Sequence, residues 1–193
     1  MSRATPNKRV TLCAADWEQG ALKMIAELGL SSVAVEPLAR RMGITKGSFY
    51  WHFANRDTLL EQALQRWEEH DSRNLATSLD TITDPRARLI SFFRRASRER
   101  LTHEVYSALC AAADHPHVEP VLERVAERRM EHLAHAFGEL GFPAREAEHR
   151  ARLTYSAYLG FLQLQRQRQA PNLSSQDFEA YVEHVIATLI PQP

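Results

Sequence analysis

Apolar residues recur at intervals of three and four along most of this 193-residue chain, which is the spacing of amphipathic α-helices. Runs that alternate apolar and polar residues, as strands do, are almost absent. The pattern predicts about nine helices. They span 11–28, two short segments within 35–53, about 56–79, 85–96, about 102–113, 118–139, 143–169 and 177–190. The predicted fold class is therefore all-α.

Capping residues mark where several of these helices begin. Thr11 can cap the first helix and Asn55 the long fourth one, because a short polar side chain can accept a backbone N–H of the first turn. Asp84 followed by Pro85 is a cap with proline at the first helical position. Ser174 opens a sequence typical of a capping box before the last helix.

The stretch from Val35 to Arg56 predicts two short helices joined by a tight turn. Its first half has an apolar face made by Leu38, Ala39 and Met42. Gly43 ends this helix, because glycine adopts the left-handed conformation without steric cost. Thr45 can then cap a second helix. The pattern is that of a helix-turn-helix over 35–53.

The second of these helices separates apolar from polar side chains. Phe49 and Phe53 lie four residues apart and are expected to pack inward with Ile44. The other positions are then left on the outer surface: Lys46, Ser48, Tyr50, Trp51 and His52. The alternative is a helical hairpin whose aromatic residues all form core, but one helix cannot bury all of these rings together. An outer surface rich in hydrogen-bond donors suits phosphates and base edges.

These residues resemble the tetracycline-repressor (TetR) family. The sequence KGSFYWHF after LARRMGI carries the resemblance, which covers roughly residues 11–64. Gly29 and the apolar series before it match the first helix of the family in register: Trp17, Ala21, Met24, Ile25 and Leu28. The resemblance implies a three-helix DNA-binding head, joined by the long fourth helix to a helical body that binds a small-molecule effector and dimerises.

Chemistry and resemblance together give a set of expected DNA contacts. The set is Thr45, Lys46, Gly47, Ser48, Tyr50, Trp51, His52 and Arg56. Lys46 can donate to guanine O6 and N7, and Ser48 can bond to any base. By resemblance, Tyr50 and His52 occupy phosphate-contacting positions, and Trp51 stacks on the sugar-phosphate edge or on a thymine methyl group.

Two further positions complete this set, and the start of the first helix departs from the family. By resemblance, Arg56 matches a basic position that holds the DNA backbone. Gly47 has no side chain, so it either allows the protein backbone to approach DNA closely or only weakens the helix. Many relatives have threonine where this chain has Ala34 and Val35. The next residue is Glu36, which phosphates would repel. The DNA contacts that relatives make at the start of this helix are therefore not expected from Ala34, Val35 or Glu36.

Charge divides the chain at the start of the fourth helix. The net charge is zero, yet residues 1–56 hold eight basic and four acidic residues, a net charge of +4. Residues 57–193 hold 16 basic and 20 acidic residues, a net charge of −4. Electrostatics would therefore orient the molecule toward a polyanion with residues 1–56 first. The predicted domains are a DNA-binding head, 1–56, and an effector-binding and dimerisation body, 57–193.

The body is expected to contain two sites, both by analogy with the family. The effector, small and largely apolar, is predicted to contact Trp67, Phe92, Phe93, His103, Tyr106, Ser107, Cys110, Met130, Phe137, Tyr155 and Phe161. The last two helices carry more apolar surface than one packing layer covers, which predicts a homodimer. Its interface residues are Ala157, Gly160, Leu164, Tyr181, Val182, Val185 and Leu189. Two heads at fixed spacing would read a palindromic operator in double-stranded DNA.

The alternative function is a metal sensor or metal-dependent enzyme that uses His132 and His135, which lie three residues apart on one predicted helix. No phosphate loop, nucleophile elbow or dinucleotide fingerprint is present, so no enzyme activity and no cofactor are expected. Cys13 and Cys110 lie far apart and predict no disulfide framework. The sequence has no membrane span or signal-like segment, and we expect a cytoplasmic, nucleoid-associated protein.

Overall fold

The computed structural model describes residues 12–169 and 174–190, which form nine α-helices and no strand. The helices are α1 Ala14–Leu28, α2 Val35–Arg41, α3 Lys46–Phe49, α4 Arg56–Thr81, α5 Pro85–Arg98, α6 Arg100–Cys110, α7 Glu119–Glu139, α8 Ala144–Arg166 and α9 Ser175–Leu189. One 3₁₀ turn, Leu30–Ser32, lies between α1 and α2. The prediction of an all-α chain is confirmed.

The caps explain where several helices begin. Asn55 caps α4 as predicted, since its Oδ1 accepts the backbone N–H of Thr58 at 2.9 Å. Ser174 caps α9, accepting the N–H of Asp177 at 3.1 Å. The prediction for the first helix is wrong. This helix begins at Ala14, where the backbone N–H of Cys13 donates to Asp16 at 2.8 Å, and Thr11 lies outside the described residues.

Some helices end earlier in the structure than the sequence pattern predicts. The second helix of the motif ends at Phe49 rather than near Phe53, so the exposed aromatic residues follow it in a turn. In the body, α8 ends at Arg166 instead of Gln169. The tight turn after α3 lets Phe49 and Phe53 face one core while the residues between them face solvent.

One continuous apolar core runs from α1 into the body. Trp17, Ile25, Leu38 and Phe49 are fully buried in its N-terminal part. Helix α1 packs against both α4 and α6, so the first three helices rest on the body as well as on each other. Each buried side chain of this size contributes roughly 1.5–3 kcal/mol through loss of apolar surface from water.

The body is built on the pair α7 and α8, which pack along their length after a short connection. Helix α4 packs against α7, and α6 packs against α8. Helix α5 contacts α7 on one side and α9 on the other. An ion pair between Arg94 and Glu183, 2.8 Å apart, joins α5 to α9. Helix α4 therefore contacts both α1 and α7.

Candidate DNA-binding surface and body cavity

A glycine turn sets the angle between α2 and α3. Gly43 has a φ of +70°, and an added Cβ would meet no atom within 4 Å, so conformation rather than crowding favours glycine here. The N–H groups of Gly43 and Ile44 bond back to Arg40 and Ala39 at 3.2 and 3.0 Å. These bonds satisfy the last carbonyls of α2. The predicted helix stop is therefore confirmed.

Aromatic packing fixes α3 on α1. The rings of Trp17 and Phe49 meet edge to face with centroids 5.3 Å apart, and Phe53 lies 5.3 Å from Phe49 on the other side. All three side chains are buried, as predicted for the two phenylalanines. This core holds the four-residue α3, which is too short to be stable by itself.

The residues between and before the buried phenylalanines form an exposed surface. Trp51 is 88% exposed and Tyr50 is 60% exposed, although both rings are large and apolar. Thr45, Lys46 and Gly47 are exposed beside them. Exposed aromatic side chains next to hydrogen-bond donors are characteristic of a binding surface, because burying them at an interface contributes more than burying aliphatic residues.

Lys46 is not isolated on this surface. Its Nζ lies 2.7 Å from Oε1 of Glu36 in the first turn of α2. The hydrogen bond from Lys46 and its charge lower the pKa of Glu36. The same interactions raise the pKa of Lys46, so both groups are charged at neutral pH.

Two other predicted DNA contacts, His52 and Arg56, form hydrogen bonds within the chain, and a third, Thr45, lacks the hydrogen bond predicted for it. Nε2 of the half-buried His52 donates to the carbonyl of Leu12 at 3.0 Å. Nε of Arg56 donates to the carbonyl of Val33 at 2.6 Å, which ties the start of α4 to the segment before α2. Thr45 has the extended conformation of a cap, but its hydroxyl accepts no hydrogen bond from α3, so that part of the prediction is wrong.

Gly47 offers a test of close backbone approach to DNA. A Cβ added there would lie 3.8 Å from the Thr45 hydroxyl, an ordinary contact, so Gly47→Ala should not lower the thermal midpoint. We expect the added methyl to weaken DNA binding about tenfold by keeping α3 from the groove. Gel shift and thermal unfolding check this, and unchanged affinity would show that the backbone stays away from DNA. Gly138→Ala is the matched control, since a Cβ added there would meet no atom within 4 Å.

A buried charged cluster, made by Asp71, His103, Arg129 and Tyr158, joins four helices of the body. The Nη2 and Nε atoms of Arg129 donate to the two carboxylate oxygens of Asp71 at 2.6 and 3.3 Å, and Nη1 donates to the Tyr158 hydroxyl at 3.3 Å. His103 Nδ1 is hydrogen-bonded to the same hydroxyl. The Arg129 side chain is only 4% exposed, and its guanidinium lies 4.4 Å from the centroid of the Tyr106 ring.

A cavity of about 20 Å³ adjoins this cluster. Its lining comprises Asp71, Leu75, Phe92, Glu99, His103, Arg129 and Tyr158. This volume holds roughly one water molecule. Burial raises the pKa of Tyr106 and of Tyr158, so both phenols stay neutral. The lining therefore combines the apolar side chains of Leu75 and Phe92 with charged and phenolic groups.

Several predicted effector residues meet around the charged cluster. Trp67 stacks on Tyr106 at 5.8 Å, and the hydroxyls of Tyr106 and Tyr155 are hydrogen-bonded to each other. Cys110 lies beside Tyr106, and burial raises the pKa of its thiol. His103 belongs to the cluster itself, and Phe92 lines the cavity.

Other predicted effector residues lie elsewhere. Phe161 stacks on Tyr181 of α9 at 5.0 Å, and Phe137 packs on Phe142 at the turn between α7 and α8. Ser107 donates to the carbonyl of Leu162 at 3.4 Å. Phe93 and Met130 contribute to the apolar core without lining the cavity.

Sequence reasoning missed Asp71, Arg129 and Tyr158, which form most of the charged cluster. The spacing of Arg129 in the sequence could have identified it. Arg129 lies four residues after Val125 and four before Leu133, and both of these are fully buried. A charged residue within an apolar stripe predicts a buried ion pair, because an unpaired charge would be costly there. The partner, 58 positions earlier in the chain, could not be identified from the stripe alone.

The predicted dimer surface is partly exposed. Leu164 and Gly160 are exposed on α8, and Leu153, which was not predicted, lies exposed on the same helix. Tyr181 is exposed on α9. Val182, also on α9, is buried within the chain.

The two histidines considered for metal binding have different surroundings. His132 is buried, and its ring lies 6.4 Å from that of Phe92. His135 is exposed, with Nδ1 3.1 Å from Glu139. Within residues 12–169 and 174–190, no group of three or more histidine, cysteine or acidic side chains is arranged to hold a metal ion. The metal alternative is therefore not favoured.

Among the described helices, none has the length and apolar character needed to cross a membrane.

Comparison with known proteins agrees with the geometry of the N-terminal surface. Residues 19–63 match the family model described as bacterial regulatory proteins, tetR family. The chain is 33% identical over 85 residues to the HTH-type transcriptional repressor KstR2 of Mycolicibacterium smegmatis. That match covers 44% of this chain and 41% of the relative.

Solved structures with the same fold match nearly the whole chain. A TetR transcriptional regulator from Legionella pneumophila has a TM-score of 0.75 at 15% identity, with 98% of this chain and 100% of that one covered. A regulator from Saccharomonospora viridis in complex with choline also has a TM-score of 0.75, at 19% identity, over 90% of this chain and 94% of that one. These structures show the fold of the chain, and residues 19–63 are those of the tetR family of bacterial regulatory proteins.

Proposed function

We propose that this protein is a homodimeric, sequence-specific transcriptional repressor that binds a palindromic operator and is released by a small effector. One observation carries the DNA-binding part of the proposal. The family-matched segment presents Lys46, Tyr50 and Trp51 to solvent on a rigid apolar base. The net charge of +4 on residues 1–56 attracts this surface to DNA.

The proposed contacts divide into two groups. Lys46 and Ser48 read base edges, while Tyr50 and Trp51 contact the backbone. The hydrogen bonds of His52 and Arg56 give these two residues a positioning role as well, because Leu12 and Val33 hold them in place. Arg56 keeps one third of its side chain exposed for a phosphate contact.

The effector part of the proposal places the ligand at the charged cluster. Helix α4 contributes Asp71 to this cluster and contacts α1, so a ligand that separates Asp71 from Arg129 would move the head. The cavity must widen to admit such a ligand, which therefore selects a different conformation from the one described. Phe92 and Leu75 would hold its apolar part, and the charged residues would bind a polar group. The choline complex of the Saccharomonospora viridis regulator supports the idea that this fold admits small polar molecules.

Selection of bound fragments from random double-stranded DNA tests the DNA-binding part. We expect a two-fold symmetric sequence whose half-sites lie about 34–36 Å apart or at a multiple of that distance. Binding should weaken steeply as salt rises, because each phosphate contact releases counterions. Recovery of random sequences, or binding that salt does not affect, would contradict the proposal. Compounds that release the selected DNA then identify the effector.

Leu164→Glu tests the proposed dimer interface. Leu164 is exposed on α8, so a carboxylate there should be tolerated by the single chain but would be buried between two chains. We expect sedimentation at micromolar concentration to show a dimer for the unaltered protein and a monomer for this variant. Ala76→Glu, at an exposed position on α4, is the matched control and should remain dimeric. A variant at Leu164 that sediments as a dimer would place the interface elsewhere.

A further inference from the structure

Helices α2 and α3 are joined at the predicted DNA surface by an exposed ion pair. Nζ of Lys46 lies 2.7 Å from Oε1 of Glu36, and the two side chains are 60% and 70% exposed. Neither side chain is needed to fill the core. Because the two atoms are this close, any base edge that Nζ approaches is also near the carboxylate of Glu36.

The pair has the same donor–acceptor spacing as the major-groove edge of a base pair. In a G·C pair, guanine O6 accepts a hydrogen bond from cytosine N4, so these two atoms lie about 2.9 Å apart. Both also face the major groove, O6 as an acceptor and N4 through its second proton as a donor. Lys46 and Glu36 offer a donor and an acceptor at nearly this separation.

We infer that Lys46 and Glu36 act as one unit that reads a single base pair in each half-site. The base with a keto oxygen in the major groove, guanine or thymine, faces Lys46. The base with an amino group there, cytosine or adenine, faces Glu36. An ammonium group has three donors, so Lys46 keeps its bond to Glu36 while it donates to the keto oxygen. A carboxylate oxygen has two lone pairs, so Glu36 accepts from the amino group as well. The inference rests on the proposed DNA-binding function.

Two features make G·C the preferred pair. T·A also presents a keto and an amino group in this order, but guanine adds N7 as a second acceptor for Lys46 where thymine has a methyl group. Reversed pairs place a keto oxygen against Glu36, and two acceptors repel each other. The ion pair with Lys46 also offsets the negative charge of Glu36, which reduces its repulsion by the phosphates.

Replacing Glu36 by glutamine tests this reading of the ion pair. Once selection has defined the operator, all four base pairs are placed in turn at each half-site position, symmetrically in both halves, and the dissociation constants are measured. Glutamine can both donate and accept, so Glu36→Gln should lose a preference of about tenfold at one position. Lys46→Ala should lose base-pair preference at that same position. The preference lost by the double variant should be smaller than the sum of the losses of the two single variants, because the two residues act together.

Glu27→Gln is the matched control. Glu27 also forms an ion pair within the head, with Arg41, so this variant removes the same charge from a different place. It should leave the ranking of base pairs unchanged. A second probe is an operator with N4-methylcytosine at the assigned position, which keeps Watson–Crick pairing but lacks the N4 proton in the groove. It should weaken binding of the unaltered protein more than that of Glu36→Ala, which has no acceptor for the N4 proton.

The outcomes separate the inference from the function on which it rests. If the unaltered protein selects a palindrome and Glu36→Gln ranks the four base pairs as before, the inference is wrong and the function stands. Equal tightening of Glu36→Gln on every sequence would likewise overturn it, showing that Glu36 only repels DNA. Binding without any selected sequence would overturn both. Equal thermal midpoints for the variants ensure that each outcome reports on recognition.

Discussion

Replacing Asp71 by alanine is expected to lower the free energy of unfolding by about 3–5 kcal/mol. The cause is the guanidinium of Arg129, whose side chain is 4% exposed and which donates to both carboxylate oxygens of Asp71. Without Asp71 this buried charge would lose the carboxylate that accepts two of its hydrogen bonds. Urea unfolding at a fixed protein concentration measures the change, and a loss below about 1 kcal/mol would show that water reaches Arg129.

Two controls distinguish the cost of an unpaired charge from the loss of a contact. The double variant Asp71→Leu with Arg129→Met removes both charges and should recover most of the stability, because apolar residues often replace a buried pair without loss. Glu183→Ala breaks the ion pair with Arg94, in which both side chains are at least half exposed, and should cost under about 1 kcal/mol.

The second large effect is expected at Trp51. Trp51→Ala should weaken binding to the selected operator by about 10- to 100-fold, since removing a large apolar side chain from water contributes roughly 1.5–3 kcal/mol. The thermal midpoint should stay the same, because the indole is 88% exposed and contributes little to the core. Fluorescence anisotropy and thermal unfolding measure the two quantities. An unchanged affinity would remove Trp51 from the DNA surface.

At Phe49, two residues earlier, a substitution is expected to change stability instead of the DNA contact itself. Phe49→Ala should destabilise the head by about 3–5 kcal/mol, because the ring is fully buried between Trp17 and Phe53. DNA binding would then be lost together with folding. A folded Phe49→Ala protein that binds DNA normally would contradict the packing described for α3.

The head was the most predictable part of the chain because its signals are local. Gly43 ends α2, Asn55 caps α4, and the four-residue spacing of Phe49 and Phe53 identifies the buried face. Each depends on residues a few positions away. The prediction that Tyr50, Trp51 and His52 cannot all be buried is confirmed, although they lie in a turn after α3 rather than on a longer helix.

The sequence by itself determined the helices, their main caps and the family-matched surface around Lys46, since helical periodicity and capping act over only a few residues. The tertiary structure decided which distant residues meet. It placed Asp71 against Arg129, bonded Arg56 to the carbonyl of Val33 and brought Glu36 to Lys46. Such pairings depend on how helices pack and on how each buried charge finds a partner, and a one-dimensional pattern of apolar positions does not contain that information.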